Sequence, residues 1–212
     1  MKNMLTNGKI YTKIKVRVKY AQTVRNHPVY KKNYGGTKMN IKLNEGTISV
    51  KIRRIVFAAM VAAIYAALTL SLSFLSFGVI QYRIAEGLTI LPYFASFSIP
   101  GLVIGCIVSN IISPLGIMDM IFGSLATLIA AISTYYIGKS KLKFKRIIAP
   151  LPAVVVNAII IGILLKLLYF KDMPLILCML QVAWGEFVCC YGIGLPLIYV
   201  IENNSILRNF LK

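Results

Sequence analysis

The chain is poor in the groups most enzymes use. Its one histidine, His27, lies in a polar leader. That removes histidine acid–base chemistry and the Ser-His-Asp triad from serious consideration. Its four cysteines, Cys106, Cys178, Cys189 and Cys190, all fall in apolar runs. They form no C-x-x-C or Cys/His spacing, which argues against a zinc site or a disulfide framework. No Gly-rich phosphate loop is present, so any ATP dependence has to come from partners. Acidic residues number six against 24 basic ones.

What is abundant is hydrocarbon. Apolar residues make up 58% of the 212, enough to place the chain in the multi-pass membrane class. No large soluble domain fits into what remains. The net charge of +18 suggests nucleic acid at first sight, but its distribution argues against that. Residues 1–38 hold ten Lys/Arg and no acid. Much of the remaining positive charge flanks hydrophobic ends, as it does on the cytoplasmic side of membrane proteins.

The leader has no apolar stripe and no secretory cleavage pattern. It ends Tyr34-Gly-Gly-Thr-Lys-Met39. Gly35-Gly36 can be encoded by a ribosome-binding GGAGG run, and Thr-Lys then supplies a short spacer before an ATG. The expectation is that translation starts at Met39 and that residues 1–38 are an RNA leader read as protein. Back-translation of Val24-Arg-Asn-His-Pro and Tyr30-Lys-Lys-Asn-Tyr can give a CACCC core and an A-rich tail, which resembles a class I prequeuosine-1 riboswitch. The alternative is a solvated, disordered basic tail.

Beyond a 39–54 cytoplasmic segment, six windows approach the length of about 20 residues that spans a bilayer. They are Ile55–Leu75, Tyr82–Phe97, Ile99–Ile112, Ile117–Ile137, Ile147–Phe170 and Met173–Ile201, followed by a 202–212 tail. The expected fold is an all-α membrane domain, 55–201, of six helices. Basic clusters at Lys51/Arg53/Arg54, Lys139–Arg146 and Arg208/Lys212 fall on one side of a six-span chain. By the positive-inside rule that side, with both termini, is cytoplasmic.

Several polar residues interrupt these apolar windows: Gln81, Arg83, Glu86, Asn110, Asp119, Asn157 and Glu186. Ionisable groups in a membrane are costly and mark function by default. The six-span topology would bring them together in the outer half of one bundle, with Asn157 and Glu186 near mid-depth. Plainer roles exist. Arg83 and Glu86, at i and i+3, could neutralise each other. Asp119 could cap its helix, and Asn157 could satisfy backbone freed by Pro150 and Pro152. Gln181 and Trp184 could belong to the outer interface. Glu186 has no basic neighbour on its own helix. A carboxylate there suits the N–H/NH₂ edge of a guanine-like base. Trp184, Tyr93 and Tyr82 could stack on it. Biotin, thiamine or riboflavin pockets use similar parts. The first window also carries Ala58, Ala59, Ala62, Ala63, Ala66 and Ala67, whose i, i+4 spacing permits close helix approach. That approach could be to this protein's own bundle or to a partner.

Five blocks together resemble the QueT family: Gln81-Tyr-Arg-Ile-Ala-Glu-Gly-Leu-Thr-Ile-Leu-Pro92, Ile99-Pro-Gly-Leu-Val-Ile-Gly-Cys-Ile-Val-Ser-Asn110, Asp119-Met-Ile-Phe-Gly-Ser-Leu-Ala-Thr127, Ala149-Pro-Leu-Pro-Ala-Val-Val-Val-Asn157 and Gln181-Val-Ala-Trp-Gly-Glu186. The resemblance implies a substrate-binding S component of an energy-coupling factor (ECF) transporter, in the cell membrane. Its substrate would be a queuosine precursor: prequeuosine-0, prequeuosine-1 or queuine. It would bind no cofactor itself. Uptake would need a transmembrane coupling subunit, docked on the alanine stripe, and two ABC ATPases that use ATP. The substrate-binding residues would be Glu186, Asn157, Glu86, Arg83, Asp119, Gln81, Asn110 and Trp184. Competing readings are a vitamin S component, a membrane-embedded enzyme and a self-sufficient carrier. The second lacks an evident nucleophile–base pair, and the third lacks an inverted repeat.

Overall fold

A computed structural model describes residues 45–78 and 80–211. The leader 1–38 lies outside them. The described chain is helical throughout: α1 Glu45–Ser71, α2 Ser73–Ser76, a 3-10 helix Ile84–Tyr93, a 3-10 turn Ser96–Ser98, α3 Ile99–Asn110, α4 Ile117–Lys139, α5 Lys145–Ile148, α6 Leu151–Leu168, α7 Leu175–Asn203 and α8 Ser205–Phe210. Four stretches are long and apolar enough to cross a bilayer: Val50–Ser71, Ile117–Lys139, Lys145–Leu168 and Leu175–Asn203. These correspond to the first, fourth, fifth and sixth windows. The first helix starts at Glu45, earlier than the window. The 202–212 tail is the end of α7 followed by α8, which is capped by Asn204 accepting from the Ile206 and Leu207 amides at 3.0 and 3.2 Å.

The second window differs from expectation. Tyr82–Phe97 is no α-helix; its centre is a ten-residue 3-10 helix containing Pro92. At about 2.0 Å per residue such a helix covers roughly 20 Å, against roughly 15 Å for an α-helix of that length. The tighter winding stretches a short segment across more of the bundle. It packs against α1, α4 and α7, and Ala85 through Gly87 and Thr89 through Pro92 are buried. A segment buried on most sides has no amphipathic period to read. The third window is a twelve-residue helix, α3, entered through Pro100.

Apolar side chains fill two places. Some form the interior, with Val61, Tyr65, Leu102 and Ile201 in one cluster and Leu115, Ile161 and Val182 in another. Many others, including Ile55, Ile121, Leu167 and Tyr199, stand exposed on the bundle exterior. Exposed hydrocarbon on that scale suits lipid rather than water.

Basic residues gather at one end. Arg53 lies over the Phe210 ring, Arg54 over Phe97 and Lys145 over Tyr93. Arg146 pairs with Glu202 at 2.9 Å. The opposite end holds Tyr169, whose hydroxyl donates to the Pro114 carbonyl at 2.7 Å.

The alanine stripe divides into two faces. Ala58, Ala62 and Ala66 are half-buried, whereas Ala59, Ala63 and Ala67 are exposed. Helix α3 takes the first face, because a Cβ at Gly101 would overlap the Ala58 backbone and one at Gly105 would meet Ala62. Ala58 and Ala62 thus pack within the bundle, while Ala59, Ala63 and Ala67 remain exposed.

Candidate functional site

The turn before the 3-10 helix carries Gln81 and Arg83. Helix α7 reaches it because residue 185 is glycine; a Cβ there would overlap the Gln81 carbonyl. This close approach sets Glu186, the next residue, against the same segment. Gln81, Arg83, Glu86, Asn110, Asp119, Asn157 and Glu186 are all 2% exposed or less. Leaving such groups buried without partners is expensive, so their pairing tells what each is for.

Arg83 pairs with Asp119, not with Glu86. Its Nη2 donates to both Asp119 carboxylate oxygens, at 2.9 and 3.0 Å. The i, i+3 pairing with Glu86 fails because Arg83 stands just outside the 3-10 helix, in non-helical backbone (φ −81°, ψ 82°). Helical i, i+3 geometry does not apply there. Asp119 also accepts from the Ser113 hydroxyl at 2.6 Å, and the Asn110 amide donates to the Asp119 carbonyl at 3.2 Å. Asp119 caps nothing: Gly116 holds the cap position of α4, with no side-chain bond. Gly123 leaves the space this cluster occupies; a Cβ there would come within 2.8 Å of Asn110 Nδ2.

A second cluster is less complete. Glu86 Oε1 accepts from the Tyr65 hydroxyl at 2.6 Å and from Thr127 at 2.8 Å. Glu86 Oε2 has no partner. Asn157 lies beside Glu86, yet neither its Oδ1 nor its Nδ2 is hydrogen-bonded. It therefore does not serve the backbone freed by Pro150 and Pro152. Among the described residues Glu186 receives only the Cys190 thiol, at 3.5 Å, which is a weak donor. It lies close enough to Glu86 and Arg83 for their charges to act on it. Gln81 Oε1 and Arg83 Nε and Nη1 are also unpartnered.

A cleft of about 270 Å³ is lined by residues that include Phe77, Gln81, Ser113, Tyr169 and Phe170. Ser113 also bonds Asp119, so the cleft borders the Arg83–Asp119 cluster at the end that carries Tyr169; Glu86, Asn157 and Glu186 are not in its lining.

Trp184 is not among them. It is 58% exposed and stacks on Phe187, ring centroids 6.4 Å apart. Two residues on an α-helix are about 200° apart; with Glu186 facing in, Trp184 faces out. Tyr93 lies at the basic end, beneath Lys145, away from the cleft. Residues that the sequence reading gave no role are Tyr65, Ser113 and Thr127. Tyr65 was hidden among the alanines of α1, and its one signal was Thr69 four residues on, a second polar group on the same face.

A family model described as QueT transporter matches residues 55–203. The chain belongs to the QueT transporter family. Over 77 residues it is 42% identical to a protein of Lactococcus lactis subsp. cremoris (strain MG1363) named "Queuosine precursor transporter QueT". That similarity covers 35% of this chain and 45% of the relative, so the chain spans under half the length of that curated protein. No solved structure matches this one. As the family and the four long apolar helices imply, the chain is a multi-pass membrane protein.

Proposed function

We propose that this chain captures a queuosine precursor, a 7-deazaguanine, as the S component of an ECF-type importer in the cell membrane. The observation that carries the reading is the second cluster. Glu86 Oε2 and both polar atoms of Asn157 are buried without partners, and Glu186 has only a thiol. Each unmet group costs about 1–3 kcal/mol, more if charged. A base that offers donors and acceptors in the right places would recover that cost. The family and the name of the relative give the ligand its class.

The proposed topology has six crossings: the four long helices, the 84–93 segment and α3. Alternating basic and cleft ends along the chain support this path, since Arg53, Phe97, Lys145 and Glu202 share one end while Pro114 and Tyr169 share the other. Placing the basic end in the cytoplasm puts both termini inside and opens the cleft outward. ATP-driven uptake would then need the coupling subunit and two ABC ATPases. The exposed Ala59/Ala63/Ala67 face is the proposed docking surface. Replacing Ala59 and Ala63 by Leu is expected to abolish uptake while ligand binding to the isolated protein persists; equal loss of both would assign that face to the fold.

The substrate reading is tested by titrating the purified protein with prequeuosine-0, prequeuosine-1 and queuine, with guanine and riboflavin as controls. Tight binding of a deazaguanine and none of riboflavin is expected. Binding of riboflavin alone, or of nothing, would overturn it.

A further inference from the structure

The buried charges do not balance. Among the described residues, the buried groups that carry formal charge are Arg83, Glu86, Asp119 and Glu186, one cation against three carboxylates. Both Asp119 oxygens bind Arg83. Glu86 and Glu186 share only the remaining influence of that guanidinium, and Glu86 lies close enough for its charge to act on Glu186. Two like charges close together in a low-dielectric interior repel strongly.

The two carboxylates are equipped differently. Glu86 has one oxygen filled by Tyr65 and Thr127, and one oxygen free. Glu186 is engaged only by a thiol at 3.5 Å. The edge of a guanine-like base asks for two acceptors side by side, which Glu186 can offer and Glu86 cannot. An ammonium is a point donor with three N–H bonds and no need of a fork. It fits the single free oxygen of Glu86, which is fully buried and unpartnered.

We propose that Glu86 receives a protonated amine on the ligand, and that the site therefore selects a 7-deazaguanine with an aminomethyl arm over one with a nitrile in its place. The inference rests on the reading above that the ligand is a 7-deazaguanine. An alkyl amine of this kind is charged at neutral pH, as lysine is. It supplies the cation that the pair of glutamates lacks. A nitrile instead presents an acceptor nitrogen to an acceptor oxygen and leaves the charge uncompensated.

The test is calorimetric titration of the purified full chain with three bases: prequeuosine-1, which has the aminomethyl arm, prequeuosine-0, which has the nitrile, and 7-methyl-7-deazaguanine, whose arm is neutral. Wild type is expected to bind prequeuosine-1 at least about thirtyfold more tightly than either neutral base, the worth of one charge-assisted contact. Glu86→Gln should close most of that gap, weakening prequeuosine-1 and setting a donor against the nitrile of prequeuosine-0; an unfolding midpoint close to that of wild type reports an intact fold. Glu186→Gln should weaken all three. Equal binding of prequeuosine-0 and prequeuosine-1 by wild type, which needs no variant, would overturn the inference and leave the deazaguanine reading standing. So would a gap that survives Glu86→Gln. If none of the three bases binds, the deazaguanine reading fails and takes the inference with it.

Discussion

Two polar clusters lie side by side in this bundle, and they differ in completeness. Around Asp119 the acceptors are filled: Arg83 and Ser113 serve its carboxylate and Asn110 its carbonyl. Around Glu86 and Glu186 they are not: Glu86 Oε2 and both polar atoms of Asn157 are unpartnered, and Glu186 receives a thiol at 3.5 Å. A satisfied network specifies the fold, while one left open is expensive unless something else completes it. Under the proposed function the filled Asp119 carboxylate belongs to the architecture and Glu86, Asn157 and Glu186 to the ligand, while Arg83, whose Nε and Nη1 are unpartnered, adjoins both. Burial alone could not make that division, because both clusters are equally buried.

The largest expected effect breaks the first cluster. Asp119→Ala leaves Arg83 charged and unpaired in the interior, which should cost about 3–5 kcal/mol of stability. Thermal unfolding in detergent should show a much lower midpoint; an unchanged midpoint would remove the distinction between the clusters. Tyr65→Phe divides Glu86 itself. It deletes one charge-assisted bond to Oε1, worth about 1.5–3 kcal/mol, and leaves Oε2 as it was. A lowered midpoint with ligand affinity largely retained is expected from paired unfolding and binding curves. Loss of affinity greater than loss of stability would place Tyr65 in the site instead. The smallest effect should come from Trp184→Leu. Its ring points away from both clusters, so affinity should move by less than about 0.5 kcal/mol, as for surface changes generally.

How much of this was legible depended on the price of each residue in hydrocarbon. Arg83, Glu86, Asp119, Asn157 and Glu186 stood out because charges and amides are costly in apolar runs. Tyr65 and Thr127 did not, since a tyrosine or threonine in a membrane helix is cheap and common. The helical interior hides their partners. The 3-10 winding of the short 84–93 segment is not legible, because its apolar run has no period that separates a 3-10 from an α-helix. The plainer alternative for Arg83, neutralisation by Glu86 at i+3, fails, because that spacing makes partners only within a helix. The opposed directions of Trp184 and Glu186 were legible from spacing alone. The split of the alanine stripe was not, because it depends on Gly101 and Gly105 of α3 arriving on one side.

Glu186→Gln tests the division most directly. The substitution keeps the side chain's shape, removes a buried charge held only by a thiol, and turns one acceptor into a donor. Calorimetric titration with prequeuosine-1 should show affinity lost by about 2–4 kcal/mol, thirtyfold or more, while the unfolding midpoint holds or rises. Unchanged affinity would contradict the assignment, and so would a fall in stability as large as that expected for Asp119→Ala, because Glu186 would then belong to the architecture it has been set apart from.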